Sequence, residues 1–308
     1  AEDGIRDIVA RLVGSEMCIR DRQRPGLTGL PTDAALAGLP APDRCPPAAR
    51  CGLETALLDL ISRQHQLPLY RWLEAKASAT VQVNANLGSL DSETNTRLAA
   101  STGFSVIKLK VGLLSVSQDI DNLQKLADAL PGGVSLRLDA NQAWNMEQAR
   151  RFISGITDLP VECLEEPLRQ PGLKQLEQLQ KLAPFHLALD ESLTQLCQQD
   201  ILLQRPVARL VLKPMLLGGL QAALNLGRKA QQAGLESLVT TSVDSAIGSW
   251  AAVHLAAALN AGNQDISHGL ATSSWLRRDL APPPLIRHGR ISLGVTAGLG
   301  VQPQRQPN

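Results

Sequence analysis

Beyond residue 79 the chain alternates two patterns. Short apolar runs, rich in β-branched residues or alternating with polar ones, precede longer stretches in which apolar residues recur at helical spacing. The runs are VQVNANL, FSVIKLKVG, VSLRLDAN, VECLEEP, HLALDES, ARLVLKP, ESLVTTS and DISHG. The helical stretches occupy 117–129, 145–156, 172–182, 218–232 and 246–260. Strand-like runs alternating with helices of this length predict parallel strands joined by helical crossovers. Eight such runs over residues 80–275 predict an α/β fold, a (β/α)8-type parallel barrel. A doubly wound open sheet would carry a Gly-rich nucleotide loop after its first strand, and none is present.

Upstream, the segment AARCGLETALLDLIS at 48–62 places Leu53, Ala56, Leu57, Leu60 and Ile61 on one face, which predicts a core-facing helix ending near Pro68. Residues 25–47, rich in Pro, Gly and Ala, read as loop. His65 lies in a polar tail without a second ligand at metal spacing and reads as solvated. Residues 1–22 alternate charge with short apolar runs, and their SEMCIRDR ending resembles translated sequencing-adapter read-through, so they are expected to be a non-native leader. Residues 276–308 form a separate closing segment that contains RISLGVTAGLGV.

Composition narrows the partners. Thirty basic against 29 acidic residues give a net charge of +1, which offers no electrostatic case for nucleic acid or an anionic membrane surface. With 44% hydrophobic and 19% charged residues, the chain can bury a core and is not globally disordered. No apolar run is long enough to span a bilayer, and no signal-peptide core opens the sequence. Five scattered cysteines without a CxxC pair fit neither a disulfide framework nor a zinc site, so a reducing cytoplasm is the expected compartment. The surface pattern does not specify an oligomeric state.

Ionisable residues close the strand-like runs: Lys110, Asp139, Glu165, Asp190 and Lys213, at intervals of 23 to 29 residues. Each interval is one strand-helix unit, and in a barrel the carboxyl ends of all strands meet at one mouth. Three carboxylates on neighbouring strands form an arc of hard oxygen ligands suited to Mg²⁺, with Mn²⁺ an alternative, whereas Zn²⁺ would favour the His or Cys that these ends lack. Strand alternation puts Lys108 with Lys110, and Arg137 with Asp139, on the same faces. Inward charges are costly unless paired or bound to a metal, so they predict a site; Arg137 reads as a partner of one carboxylate.

The ordered set KLK (Lys108, Leu109, Lys110), LRLDAN at 136–141, LEEP at 164–167, LDES at 189–192, LKP at 212–214 and TTSVDSAIG at 240–248 resembles the enolase superfamily, in its muconate-lactonising and o-succinylbenzoate synthase branch. Within it, the LRLDAN wording, the TTSVDSAIG loop and the lone lysine of LKP are most similar to the proteobacterial o-succinylbenzoate synthases of menaquinone biosynthesis. That resemblance implies Asp139, Glu165 and Asp190 as Mg²⁺ ligands, Lys110 as acid/base on one face and Lys213 on the other, with Glu166 beside the ligands. It also implies a small-molecule carboxylate substrate, with Asn141, Thr241 and Ser242 as polar groups for its carboxylates. The implied reaction is a lyase step, the syn dehydration of 2-succinyl-6-hydroxy-2,4-cyclohexadiene-1-carboxylate through an enediolate. A free lysine is a poor base at neutral pH, and lowering its pKa by about three units costs roughly 4 kcal/mol. Lys108 and a nearby dication would both push that way, making Lys110 the base and Lys108 its tuner.

Two alternatives stand beside this expectation. Opposed lysines also suit an N-succinylamino acid racemase or a dipeptide epimerase. The family further carries an amino-terminal α+β capping domain, of which residues 23–79 are expected to be a truncated remnant, so the other alternative is a catalytically impaired metal-binding barrel.

Overall fold

The computed structural model describes residues 32–40, 44–91, 101–262, 266–272 and 278–303, together with Thr94, Leu98 and Leu276. The expected leader, 1–22, lies outside the described residues. No helix among the described residues is long and apolar enough to cross a membrane.

The amino-terminal part holds three helices, α1 (Thr32–Ala37), α2 (Pro47–Gln64) and α3 (Leu69–Leu73). The first corrects the loop expected over 25–47: TDAALA is a run of helix-tolerant residues between prolines. Helix α2 opens with Pro47 at its first position, where a missing N–H costs nothing. Its buried face also differs from the expected one. Cys51, Glu54, Thr55, Leu58, Ile61 and Ser62 point inward, while Leu60 is 45% exposed. Apolar spacing missed this because Glu54 is buried by pairing: it accepts from Arg50 Nη1 (3.2 Å) and from the Gln221 backbone N–H (3.1 Å).

The first strand-like run divides. β1 (Thr80–Gln82) leaves the barrel to pair antiparallel with β10 (Arg290–Ser292), which pairs in turn with β9 (Ile286–Arg287). β2 (Ala85–Ser89) begins a parallel sheet that continues in order through β3 (Val106–Lys110), β4 (Ser135–Asp139), β5 (Val161–Glu165), β6 (His186–Leu189), β7 (Arg209–Leu212) and β8 (Glu236–Val239). The crossovers are α4 (Val116–Ala127), α5 (Met146–Gly155), α6 (Leu173–Leu182), α7 (Gln198–Gln204), the short α8 (Pro214–Leu217) with α9 (Leu220–Gln232), and α10 (Ala246–Asn260). Ser115 and Asn145 supply capping boxes for α4 and α5, satisfying N–H groups that would otherwise lack partners.

The described residues of DISHG, 266–269, form no eighth strand. Residues 266–270 instead bridge both edges of the curled sheet, Val83 to His268 and Thr240 to Gly269. The reason lies in His268, whose Nδ1 accepts the Val239 N–H (2.9 Å) in place of a strand carbonyl. Its Nε2 lies 3.0 Å from Asn260 Oδ1, and burial pushes its pKa down to about 3, so the ring is neutral and donates from Nε2.

Alternation sorts the sheet's two faces. Leu109, Leu136, Leu138, Leu164, Leu187, Leu189, Leu210 and Leu212 join the main core beneath the helices. Cys163, Ala188, Val211, Leu238 and Ile266 form a separate small cluster on the inner face. Two residues further along their strands stand Glu165, Asp190 and Lys213, so the apolar cluster is the floor on which the charged mouth rests.

Candidate active site

Parallel register brings the strand ends together. Lys110 lies opposite Asp139, and Asp139 opposite Glu165, while Asp190 and Lys213 follow the last residues of β6 and β7. Carboxylate oxygens of Asp139, Glu165 and Asp190 all lie within 4.8 Å of one another, and all three residues are buried. At such distances each like-charged pair repels by about 4 kcal/mol at an effective dielectric of 20. The donors are hard oxygens throughout, and Asp190 Oδ1 is buried without a hydrogen-bond partner. The set therefore fits a hard divalent cation such as Mg²⁺.

Two lysines counter the carboxylates. Lys108 Nζ lies 2.9 Å from Asp139 Oδ2 and also donates to Glu165 Oε2. Lys213 Nζ lies 2.6 Å from Asp190 Oδ2. Burial works against the charge of each lysine, yet the carboxylates outweigh it and hold both above the ordinary lysine range. Burial also raises Glu165 and Asp190, whereas for Asp139 the Lys108 ammonium overcomes burial and holds the carboxyl low. Lys110, at the exposed end of β3, reaches Asp139 only through its charge. The structure thus puts Lys108, expected to tune its neighbour, in direct contact with two carboxylates of the triad.

The turns around the triad are strained in a way that aims side chains. Asn141, Gln142 and Glu166 all have positive φ, at 43°, 63° and 46°. The Asn141 N–H donates to Asp139 Oδ1 (3.1 Å) and its amide to Glu191 Oε1 (2.9 Å), so this expected substrate ligand also orients a carboxylate. Glu166 accepts from the Asp190 N–H (2.6 Å), the Ser192 N–H (2.9 Å) and Ser192 Oγ (2.7 Å), tying β5 to the turn that carries Asp190. Burial pushes its pKa up to about 7. Thr241 is buried, with its hydroxyl 2.7 Å from Thr272 Oγ1 and donating to Gly269 O, so these partners lie in the 266–272 stretch that bridges the sheet edges. Ser242 is half-buried, and its backbone N–H bonds the Asp244 carboxyl.

Two acidic residues were not anticipated. Asp244 is 5% exposed, with Oδ1 lacking a partner, and burial pushes its pKa up to about 6 against the Lys213 charge. It lines a cavity of about 510 Å³ with Cys51, Thr55, Met215 and Ile247, between α2 and the turns after β7 and β8. The signal was available, since Asp244 is the one acid in TTSVDSAIG. Glu162 joins a charged network beneath the triad, where Arg137 and Arg209 outweigh its burial and hold its carboxyl low.

Residues 92–306 match the family described as enolase C-terminal domain-like. Among curated relatives, the hydrophobic dipeptide epimerase of Enterococcus faecalis is 29% identical over 83% of this chain and 73% of its own length. The o-succinylbenzoate synthase of Thermobifida fusca is 32% identical over 67% of this chain and 64% of its own length. Among solved structures, the muconate lactonizing enzyme of Pseudomonas putida superposes with a TM-score of 0.84 at 25% identity, covering 94% of this chain and 82% of that one.

Proposed function

Because the chain belongs to the enolase superfamily, we propose that it removes the proton alpha to the carboxylate of a small-molecule substrate held at Asp139, Glu165 and Asp190. The observation that supports this most is the convergence of three buried carboxylates, with lysines supplied by strands on either side of them. Mg²⁺ bound by the triad would supply Lewis-acid stabilisation of the charge that develops on the substrate oxygen. Lys110 takes the proton on one face; Lys213 stands on the other, where burial favours loss of its own proton and Asp190 opposes it. The apolar floor beneath the triad would limit water on the barrel side of the reacting carbon.

For the substrate, the first reading is the cyclohexadiene carboxylate expected from the motifs. The C–H bond alpha to the carboxylate breaks, the electron pair expels hydroxide, and Lys110 returns the proton so that water leaves and o-succinylbenzoate forms. Similarity to the Thermobifida fusca synthase supports this reading. Epimerisation of a dipeptide or N-succinylamino acid is the second, favoured by the opposed lysines and by similarity to the Enterococcus faecalis epimerase. The test is turnover of both substrate types with Mg²⁺ in deuterated water, followed by mass spectrometry. Dehydration, read as loss of water with no deuterium at the new aromatic carbon, supports the first reading, and deuterium entry with inversion of an amino-acid centre the second. Neither dehydration of the one nor exchange into the other would reject proton abstraction and leave the impaired barrel.

A further inference from the structure

Below the triad, β4 and β5 are out of simple register. Leu136 pairs with Val161 but Arg137 with Cys163, so Glu162 is an extra residue in β5. A bulge of this kind re-aims a side chain. Here it delivers the Glu162 carboxylate between two arginines, 2.7 Å from Arg137 Nε and 2.6 Å from Arg209 Nη1. Arg209 in turn binds Glu236 (2.8 Å), whose carboxylate also meets His186 (3.0 Å), so Glu162 is fixed from the far side.

Arg137 is fully buried, and Nη1 is anchored by Asn84 Oδ1 (3.1 Å) and Ser267 O (2.9 Å). Its Nε stands 3.9 Å from Glu165 Oε1, too far for a hydrogen bond yet a small rotation away from one. Two carboxylates compete for this guanidinium, and the bulged one holds it. We propose that Glu162 is a positioning residue that keeps Arg137 from closing on Glu165, leaving that carboxylate available to a divalent cation. Without the Glu162 charge, the guanidinium would pair with Glu165, because a buried arginine without its partner is strongly disfavoured. The closed pair would consume one ligand and leave one fewer negative charge to balance the cation.

The inference rests on Glu165 as a metal ligand and is tested by calorimetric titration of Mg²⁺ into the full chain, with circular dichroism to confirm folding. Glu162→Gln is expected to weaken Mg²⁺ at least about tenfold, equivalent to about 1.4 kcal/mol. Adding Arg137→Met to Glu162→Gln is expected to restore affinity to within about threefold of the parent, a rescue that mere loss of floor packing would not give. Unchanged affinity in Glu162→Gln, or a double variant that binds no better than it, overturns the inference alone. Should Glu162→Gln fail to fold, Arg137→Met by itself decides: affinity equal to or tighter than the parent supports the inference, and a loss beyond about threefold overturns it. If the parent chain binds no Mg²⁺, the metal-site reading falls and the inference with it.

Discussion

Gly219→Ala is expected to detach α2 from the barrel. Gly219 has φ +146°, in a region that side-chain-bearing residues rarely adopt, and a Cβ there would lie 2.1 Å from Glu54 Oε2 and 2.5 Å from its Cδ. Glu54 cannot simply move, because it is 0% exposed and held by Arg50 and the Gln221 N–H at the start of α9. Backbone strain costs about 1–3 kcal/mol, and each charged hydrogen bond given up by a displaced Glu54 about 1.5–3 kcal/mol. A loss of about 4 kcal/mol is therefore expected, a large share of the 5–15 kcal/mol typical of a domain. Gly52→Ala is the internal control: it lies in α2, the helix that carries Glu54, nothing stands within 4 Å of its Cβ, and relief of glycine's helix penalty should stabilise by up to about 1 kcal/mol. Urea unfolding followed by circular dichroism gives both values, and hydrogen exchange should show protection lost first in α2 and the first turn of α9. If Gly219→Ala unfolds within about 0.5 kcal/mol of the parent, Glu54 does not pin the two helices and the reasoning fails.

Asp190→Ala should abolish most Mg²⁺ affinity by calorimetry, and unchanged affinity would remove it from the ligand set. Lys110→Ala should lower proton exchange by about 10² to 10⁴, while Lys213→Ala should impair dehydration even if exchange on the opposite face persists; parent-like turnover in Lys110→Ala would exclude it as the base. Deleting residues 1–22 should leave folding and activity nearly unchanged, and an unfolded product would contradict their reading as a leader. Burial pushes His254 down to about 4, below the unfolded value of about 6.5. Below that value the unfolded chain takes up a proton that the native chain refuses, so this histidine's contribution falls as pH drops from 6.5 towards 4, by about 2 kcal/mol at pH 5. In His254→Gln the acid slope of stability should flatten by about one proton, and an unchanged slope between pH 7 and 5 would refute the assignment.

What could be read from the sequence follows from what repeats. Five crossover helices lie within two residues of their expected bounds: four carry a clear apolar stripe over 10 or more residues, and the fifth, α10, is a long run that is apolar and buried on nearly every side. The convergence of three carboxylates was legible for a related reason: Asp139, Glu165 and Asp190 recur at one strand-helix interval, and topology alone brings them together. The failures share the opposite cause. DISHG was taken for a strand because its composition suits one, whereas a histidine side chain takes over one ladder bond there. The α2 face differs from its apolar pattern because Glu54 counts as polar by type, yet is fully buried and paired with Arg50 and the Gln221 N–H. Glu162 was hidden most thoroughly, since period-two alternation assigns it to the outer face with Leu164, and a single inserted residue in the β5 register reverses that. Alternation is a rule about regular pairing, so it fails wherever the chain breaks register to aim a charge. In this barrel that break lies directly beneath the carboxylate triad, where an inward carboxylate has two buried arginines to hold.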